Sequence, residues 1–129
     1  MNDHDDHDDL VRELEGEYRE LLDTSSQGIY LFLDDDHKLC NERFASLLDY
    51  ESPAEWAGVQ RSFPDAFVAE ESQHTLIAAY QGAMEEGTGS TFAVTWKRRS
   101  GGTVDSSVIL VPISFGGHIL ALHFVDERS

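Results

Sequence analysis

The segment 28–50, GIYLFLDDDHKLCNERFASLLDY, restricts the fold more than any other part of the chain. Its apolar run 29–33 is rich in strand-forming residues and ends at three aspartates, which predicts a buried strand followed by a turn. His37–Cys40 predicts a second strand that returns from that turn. Asn41 precedes apolar residues at helical spacing, and its side chain can accept hydrogen bonds from the first helical turn. The segment therefore predicts two paired strands and a capped helix.

More helices and strands follow this segment. A capping box at Ser52, with proline next to it, predicts a short helix over 52–57, and Pro64 can begin another. An apolar stripe over 71–86 predicts the longest helix, which a glycine ends. Alternating residues then predict three more strands, separated by glycine turns. Pro112 lies within one of them and requires a bulge or a place where its missing N–H is not needed.

The charge of the chain limits its partners. The 129 residues include 25 acidic and 9 basic side chains, which gives a formal net charge of −16. Such a chain repels a phosphate backbone, so we expect no binding to nucleic acid. Concentrated salt would relieve the mutual repulsion of these charges, which fits a halophilic organism. An ordinary acidic protein explains the charge equally well.

Composition indicates one cytoplasmic domain. A hydrophobic fraction of 40% supplies the core of a single domain. No apolar stretch approaches the ~20 residues of a membrane-spanning helix, and the acidic N-terminus is unlike a signal peptide. Cys40 is the only cysteine, so no disulfide forms within the chain. We therefore expect a cytoplasmic protein with no membrane span.

The N-terminal residues divide into a tail and a helix. Residues 1–9 are nearly all Asp and His, which predicts a disordered acidic tail. Such a tail lacks the preformed geometry of a metal site, so we expect no metal at His4 and His7. Residues 10–22 predict an amphipathic leading helix whose apolar seam either forms a dimer or docks on the chain's own sheet. The seam consists of Val11, Leu14, Tyr18 and Leu21.

The two strands and the capped helix predicted for segment 28–50 closely resemble the opening of PAS sensor domains. The segment 28–50 is similar to the family's first strand, its acidic turn and its Asn-x-x-Phe helix start. It ends in Leu48, Asp49 and Tyr50, where the family has Leu-Gly-Tyr. Asp49 therefore departs from the family's usual glycine.

Later signals extend the resemblance over residues 18–129. Residues 98–102 correspond to the family's Lys-Asp-Gly turn, and Pro112 corresponds to its x-Pro-Ile. Residues 126–128 resemble a shortened form of its Asp-Ile-Thr-Glu-Arg exit. The order and spacing of these signals are more specific than any one of them.

The resemblance implies an α+β PAS fold over residues 23–129. This fold has a five-stranded antiparallel sheet with helices over one face, and the leading helix lies on or near the other. The resemblance also implies a signal-transduction input domain that is not itself an enzyme and that binds a small ligand or a protein partner. Its effector would be a histidine kinase, a transducer or a transcription regulator, on the same longer chain or on another. Leading helices of PAS domains often contribute to dimerisation, so we expect a homodimer.

The expected ligand pocket lies between the longest helix and the sheet. The side chains expected to line it are Gln73, Ile77, Tyr80, Phe92, Val94, Trp96, Leu122 and Phe124. The opposite face of the last strand is expected to meet the leading helix or a partner subunit, which adds Ile119 and Val125 to the dimer residues. The pocket residues can equally pack as ordinary core, since a stripe at helical spacing is core by default.

Two residues bear on cofactors. Some PAS domains bind haem through a His on the long helix, and flavin photosensors of the superfamily need a Cys at a helix start. His74 lies on the flank of the helix stripe, and Cys40 lies on a strand ahead of the wrong helix. We therefore expect neither haem nor flavin, with His74 solvated and Cys40 a small buried thiol.

Two other functions stay open. A cone-shaped α+β sheet also carries small-molecule enzymes of the isomerase kind, which need a buried carboxylate or His in the pocket. The expected lining offers Gln73, Tyr80 and Trp96 but no acid. A plain dimerisation or interaction domain without a ligand is the other alternative.

Overall fold

The computed structural model describes residues 3–34 and 37–128, with side chains from residue 9 onward. Two helices open the chain and are followed by two strands. Four more helices and then three consecutive strands complete it. In chain order the elements are α1 Asp3–Glu17, α2 Arg19–Thr24, β1 Gly28–Asp34, β2 His37–Cys40, α3 Glu42–Leu47, α4 Pro53–Ala57, α5 Phe63–Phe67, α6 Glu70–Glu86, β3 Ser90–Lys97, β4 Thr103–Phe115 and β5 His118–Glu127.

The five strands form one antiparallel sheet in the order β2-β1-β5-β4-β3. The last strand in sequence therefore lies at the centre, between β1 and β4. Its His123 stands opposite Tyr30 of β1 on one side and Leu110 of β4 on the other. The predicted α+β architecture with five antiparallel strands is confirmed.

Helices pack on both faces of the sheet. We call the face under α3–α6 the inner face and the face under α1 and α2 the outer face. The inner core includes Tyr30, Phe44, Trp56, Phe67, Val94 and Trp96. The outer core includes Leu10, Leu14, Leu22, Ile29, Leu31, Leu120 and Leu122. The sheet is thus apolar on both sides, because each side has a helical layer to bury it.

Asn41 joins β1 to the start of α3. Its Oδ1 accepts hydrogen bonds from the backbone N–H of Phe44 and of Ile29, each at 3.0 Å. Its Nδ2 donates to the carbonyl of Gln27 at 3.0 Å. The predicted helix cap is confirmed, and the same buried side chain also satisfies the backbone where β1 begins.

The leading helix differs from the prediction in its bounds. α1 begins at Asp3 rather than at residue 10, and acidic residues in a first turn are favoured by the helix dipole. Tyr18 then separates α1 from α2. The metal site considered at His4 and His7 lies outside the described side chains. Leu14 is 2% exposed, so this part of the seam docks on the chain's own sheet, which is one of the two alternatives that the pattern allowed.

Two irregular positions have a physical explanation. Asp49 has a φ of 64°, in the left-handed region where glycine is favoured, so the resembling motif has glycine for a steric reason. Its carboxylate accepts a hydrogen bond from the Ser100 hydroxyl, which ties α3 to the β3–β4 hairpin. Pro112 lies beyond Leu110, where the pairing of β3 with β4 ends, so one side of β4 has no partner strand there.

Candidate functional site

A cavity of about 190 Å³ lies between the inner face of the sheet and the helices α5 and α6. Strands β1 and β5 supply one wall, and the two helices supply the other. The lining side chains are Tyr30, Phe32, Ser62, Phe63, Pro64, Leu76, Ile77, Tyr80 and His123. A mostly apolar wall with a few polar groups is typical of a small-molecule site.

Tyr30 and His123 form the polar part of this lining. They are cross-strand neighbours, and their rings stack with centroids 3.9 Å apart and planes 7° apart. Burial lowers the pKa of His123 to about 3, although backbone hydrogen bonds with Tyr30 and Ala121 oppose the shift. Burial also raises the pKa of the Tyr30 phenol. Both side chains are therefore neutral at neutral pH.

Each of these two side chains has one polar atom that lacks a hydrogen-bond partner within the part of the chain that the structure describes. These atoms are Nδ1 of His123 and the hydroxyl oxygen of Tyr30, and the two residues are 2% and 1% exposed. An unsatisfied buried polar atom costs about 1–3 kcal/mol, and folded proteins pair nearly all of them. Each atom exposes less than 1 Å², so a bound molecule could supply a partner, and recover part of this free energy, only by displacing the side chains around it.

Two long polar side chains hold the segment 59–68, which contains the α5 wall of the cavity. Lys38 of β2 is buried, and its Nζ donates to the carbonyl of Val59 at 2.6 Å. Gln73 of α6 donates its Nε2 to the carbonyls of Pro64 at 3.2 Å and Val68 at 3.1 Å. Gln73 was expected in the pocket lining, but in the structure it fixes α5 against α6. The position of the α5 wall therefore depends on hydrogen bonds from two other elements.

The other side chains expected in the lining fall into two groups. Ile77 and Tyr80 line the cavity. Phe92, Val94 and Trp96 lie on the inner face and pack into the core beside it. Trp96 donates its Nε1 to the Ser106 hydroxyl at 2.7 Å, so its polar atom is used within the core.

The assignment of Leu122 and Phe124 to the pocket is wrong. Both lie on the outer face, where they pack with the core under α1 and α2. Their neighbours Ala121, His123 and Val125 point inward instead. Alternation could not distinguish the sides, because β5 is apolar on both. The size of the side chains was misleading, since the outer face buries a layer of leucines.

The sequence prediction also missed seven lining residues: Tyr30, Phe32, Ser62, Phe63, Pro64, Leu76 and His123. His123 had a usable signal, because an imidazole between apolar neighbours in a central strand is a buried polar group that needs an explanation. The three aromatic residues had no such signal, since each is an ordinary core residue by pattern.

The expected dimer residues are divided between the core and the surface. Leu14 and Val125 are buried under opposite faces of the sheet, so neither is open to a partner in this fold. Val11 and Tyr18 are partly buried against the outer core. Leu21 and Ile119 are 36% and 52% exposed. Exposed apolar side chains also include Ile109 and Val111 of β4.

The residues considered for cofactors lie away from the cavity lining. Cys40 is buried in the inner core, and burial raises the pKa of its thiol. His74 is exposed on α6. Among the side chains that the structure describes, no group of three or more His, Cys, Asp or Glu could hold a metal ion. None of the helices in the described ranges is long and apolar enough to cross a membrane.

A larger polar depression of about 710 Å³ opens where β5 leaves the sheet. Its lining includes the charged side chains of Asp23, Arg43, Arg98, Asp126 and Glu127. These groups are mostly exposed and of mixed sign, so they do not select one ligand charge. We therefore take the smaller apolar cavity as the candidate ligand site, whereas the depression surrounds the end of β5.

Solved structures with a similar chain path include PAS domains. One, from a two-component sensor histidine kinase, has a TM-score of 0.67 at 16% identity and covers 91% of this chain and 99% of its own. The PAS domain of an HTR-like protein from Haloarcula marismortui has a TM-score of 0.62 at 20% identity, covering 96% and 99%. A PAS domain from Colwellia psychrerythraea gives 0.68 at 12% identity, covering 89% and 97%.

These similarities establish that the chain has the PAS fold. No protein-family model matches the sequence, and no curated protein matches it. Function must therefore be argued from the site itself.

Proposed function

We propose that this PAS-fold chain is the sensory input domain of a signalling system, in which the cavity takes up a small molecule and β5 reports its presence to an effector. The observation that carries the proposal is an apolar pocket, open to solvent beside the 40% exposed Ile77, whose lining residues carry two unpartnered polar atoms. One of the similar structures is a PAS domain from a sensor histidine kinase. The effector is accordingly a histidine kinase, a transducer or a transcription regulator, on the same longer chain or on another.

Strand β5 is suited to carry the signal because one of its faces lines the cavity and the other packs under the leading helices. His123 lines the cavity on the inner face, and Leu120 and Leu122 pack under the leading helices on the outer face. Asp126 and Glu127 end the strand in the polar depression. A ligand that favours one position of β5 would therefore shift the leading helices and the chain exit together. It can do so only by its differential affinity for the two arrangements.

We propose that the chain is not an enzyme. The isomerase alternative needs a buried acid or base whose pKa is near the working pH. His123 is the one titratable imidazole in the described lining, and its pKa of about 3 makes it a poor base at neutral pH. No carboxylate stands beside it in that lining to orient the ring or raise its pKa.

We also propose a homodimer, formed through the outer side of the domain rather than through the whole predicted seam. Leu21 of α2 and Ile109 and Val111 of β4 are exposed apolar side chains there. Phe124 stands opposite Ile109 and is partly buried. Such clusters on a folded domain are typical of a surface that meets a partner.

Filling the cavity tests the sensory proposal. Ile77→Trp adds bulk at the cavity wall, and Ile119→Trp is a matched control at an exposed position outside it. A thermal-shift screen of small uncharged compounds should give binders for the wild type and for Ile119→Trp, but not for Ile77→Trp. A screen without binders for the wild type, or the same binders for Ile77→Trp, would leave a plain interaction domain as the better function.

A further inference from the structure

The size of the cavity restricts its ligand to about one ring. Its volume is about 190 Å³, below the range of about 300–1,000 Å³ of typical drug-sized sites. An engineered apolar cavity of about 150 Å³ binds benzene. The cavity therefore accommodates a six-membered ring with one small substituent.

The wall favours a flat apolar ligand. Phe32 meets Phe63 at 5.2 Å between centroids and 74° between planes, and it meets Tyr80 at 5.4 Å and 85°. All three rings line the cavity, so part of its wall is a set of aromatic rings in edge-to-face contact. Another aromatic ring can add to such an arrangement with favourable geometry.

The lining also excludes a charged ligand. None of the described lining residues is Asp, Glu, Lys or Arg, and His123 is neutral. An ion placed there would lose its hydration without gaining a partner of opposite charge, which costs several kcal/mol or more. Carboxylates and ammonium groups are therefore poor ligands for this space.

The unpartnered atoms of His123 and Tyr30 are the polar atoms of the lining residues that a ligand group could reach once the side chains over them move. A neutral imidazole has one donor nitrogen and one acceptor nitrogen, and a phenol hydroxyl both donates and accepts. A ligand hydroxyl can donate to Nδ1 of His123 or accept from it, so it suits either tautomer.

We infer that the cavity selects an uncharged single-ring aromatic molecule with one hydroxyl-type group, which hydrogen-bonds to Nδ1 of His123 and is supported by Tyr30. The inference rests on the proposed ligand-sensing function and names the ligand class of the same site. His123 belongs to the central strand β5. The side chain that binds the ligand's hydroxyl therefore lies on the strand that we propose carries the signal to the effector.

Three probes separate the contributions of ring, hydroxyl and charge. Phenol carries the ring and the hydroxyl, toluene carries a ring of similar size without the hydroxyl, and benzoate carries a charge. Their dissociation constants are measured by NMR titration at pH 7 for the wild type and for His123→Phe, which keeps an aromatic ring and removes Nδ1. His118→Phe is the matched control at the start of the same strand, outside the cavity lining. Tyr30→Phe is a second variant in case His123→Phe fails to fold.

The preference for phenol over toluene should fall about tenfold in His123→Phe, which is the loss of one hydrogen bond, and should be unchanged in His118→Phe. Tyr30→Phe should lower it by a smaller factor, and benzoate should not bind. If both rings bind the wild type and His123→Phe with the same preference, the recognition role is wrong while the cavity remains a ligand site. If none of the probes binds the wild type, the ligand class is wrong, and the compound screen then decides whether the cavity binds anything.

Discussion

His123 is a titratable side chain in a place where its charged form is costly. Its pKa is about 3 in the fold and about 6.5 in an unfolded chain. Between these values the unfolded state binds more protons, so the free energy of unfolding rises with pH across this window. We expect the wild type to lose about 2 kcal/mol of stability between pH 7 and pH 5 through this residue, and His123→Phe to lack that loss. Urea denaturation at each pH measures it.

The comparison of the two proteins isolates His123 from the other histidines, because those are present in both. His118→Phe provides a control for the removal of any one histidine. If the stability curves of the wild type and His123→Phe are parallel from pH 7 to pH 5, then His123 accepts a proton in the folded state. The cavity would then be wetter than its lining indicates.

Asn41 shows how one side chain can fix two elements. Asn41→Ala removes both bonds to Oδ1 and leaves the N–H groups of Phe44 and Ile29 without that acceptor. We expect a loss of about 2–4 kcal/mol, from the helix cap and from the buried donor. Asn41→Asp keeps the acceptor but replaces the donor to Gln27 with a charged oxygen, which the positive end of the α3 dipole favours, so its loss should be smaller. Chemical denaturation that ranks the two variants equally would show that the acceptor is not the stabilising group.

At the scale of elements, the two leading helices use only part of their predicted seam to dock on the sheet. Leu14→Ala should cost about 3 kcal/mol, because Leu14 is 2% exposed against the outer core. Leu21→Ala should change stability little, because Leu21 is 36% exposed, but it should weaken the proposed dimer. Thermal melts and light scattering of the two variants test both statements. A dimer that dissociates in Leu14→Ala but not in Leu21→Ala would mean that the seam pairs between subunits after all.

Elements set by local sequence could be predicted, and elements set by distant packing could not. The cap at Asn41, the helix start at Ser52 and the stop at Gly87 each depend on residues within one turn. The direction in which Leu122 and His123 point depends on the register of β5 against β1, and no residue within β5 reveals it. The sequence therefore predicts the correct helix for the cavity wall but the wrong face of the last strand.

At the scale of the whole molecule, acidic charge exceeds what basic side chains can neutralise. The chain has 25 acidic and 9 basic residues, and ion pairs such as Arg12 with Asp9 and Arg19 with Glu15 join exposed side chains. Exposed pairs of this kind add little stability. The folded state therefore holds many unpaired like charges in a small volume, and their repulsion favours unfolding.

Salt should relieve this repulsion, as expected of a protein adapted to a salt-rich cytoplasm. The screening length falls from about 10 Å at 0.1 M to about 3 Å at 1 M, so we expect the melting temperature to rise by several degrees between 0.1 M and 2 M KCl. Salt also affects apolar burial, so a variant with the same core and less charge is needed as a control. Replacing Glu13, Glu17, Glu85 and Glu86 with Gln changes four exposed helix positions and lowers the formal charge from −16 to −12.

Three of these glutamates lie in the last turn of a helix, where a negative charge opposes the helix dipole. The four-fold variant should therefore melt at a higher temperature than the wild type in 0.1 M KCl and gain less from added salt. Equal gains in the two proteins would assign the effect to apolar burial rather than to charge. A wild-type melting temperature that stays constant or falls in KCl would contradict adaptation to salt and leave the charge as a feature of an ordinary acidic protein.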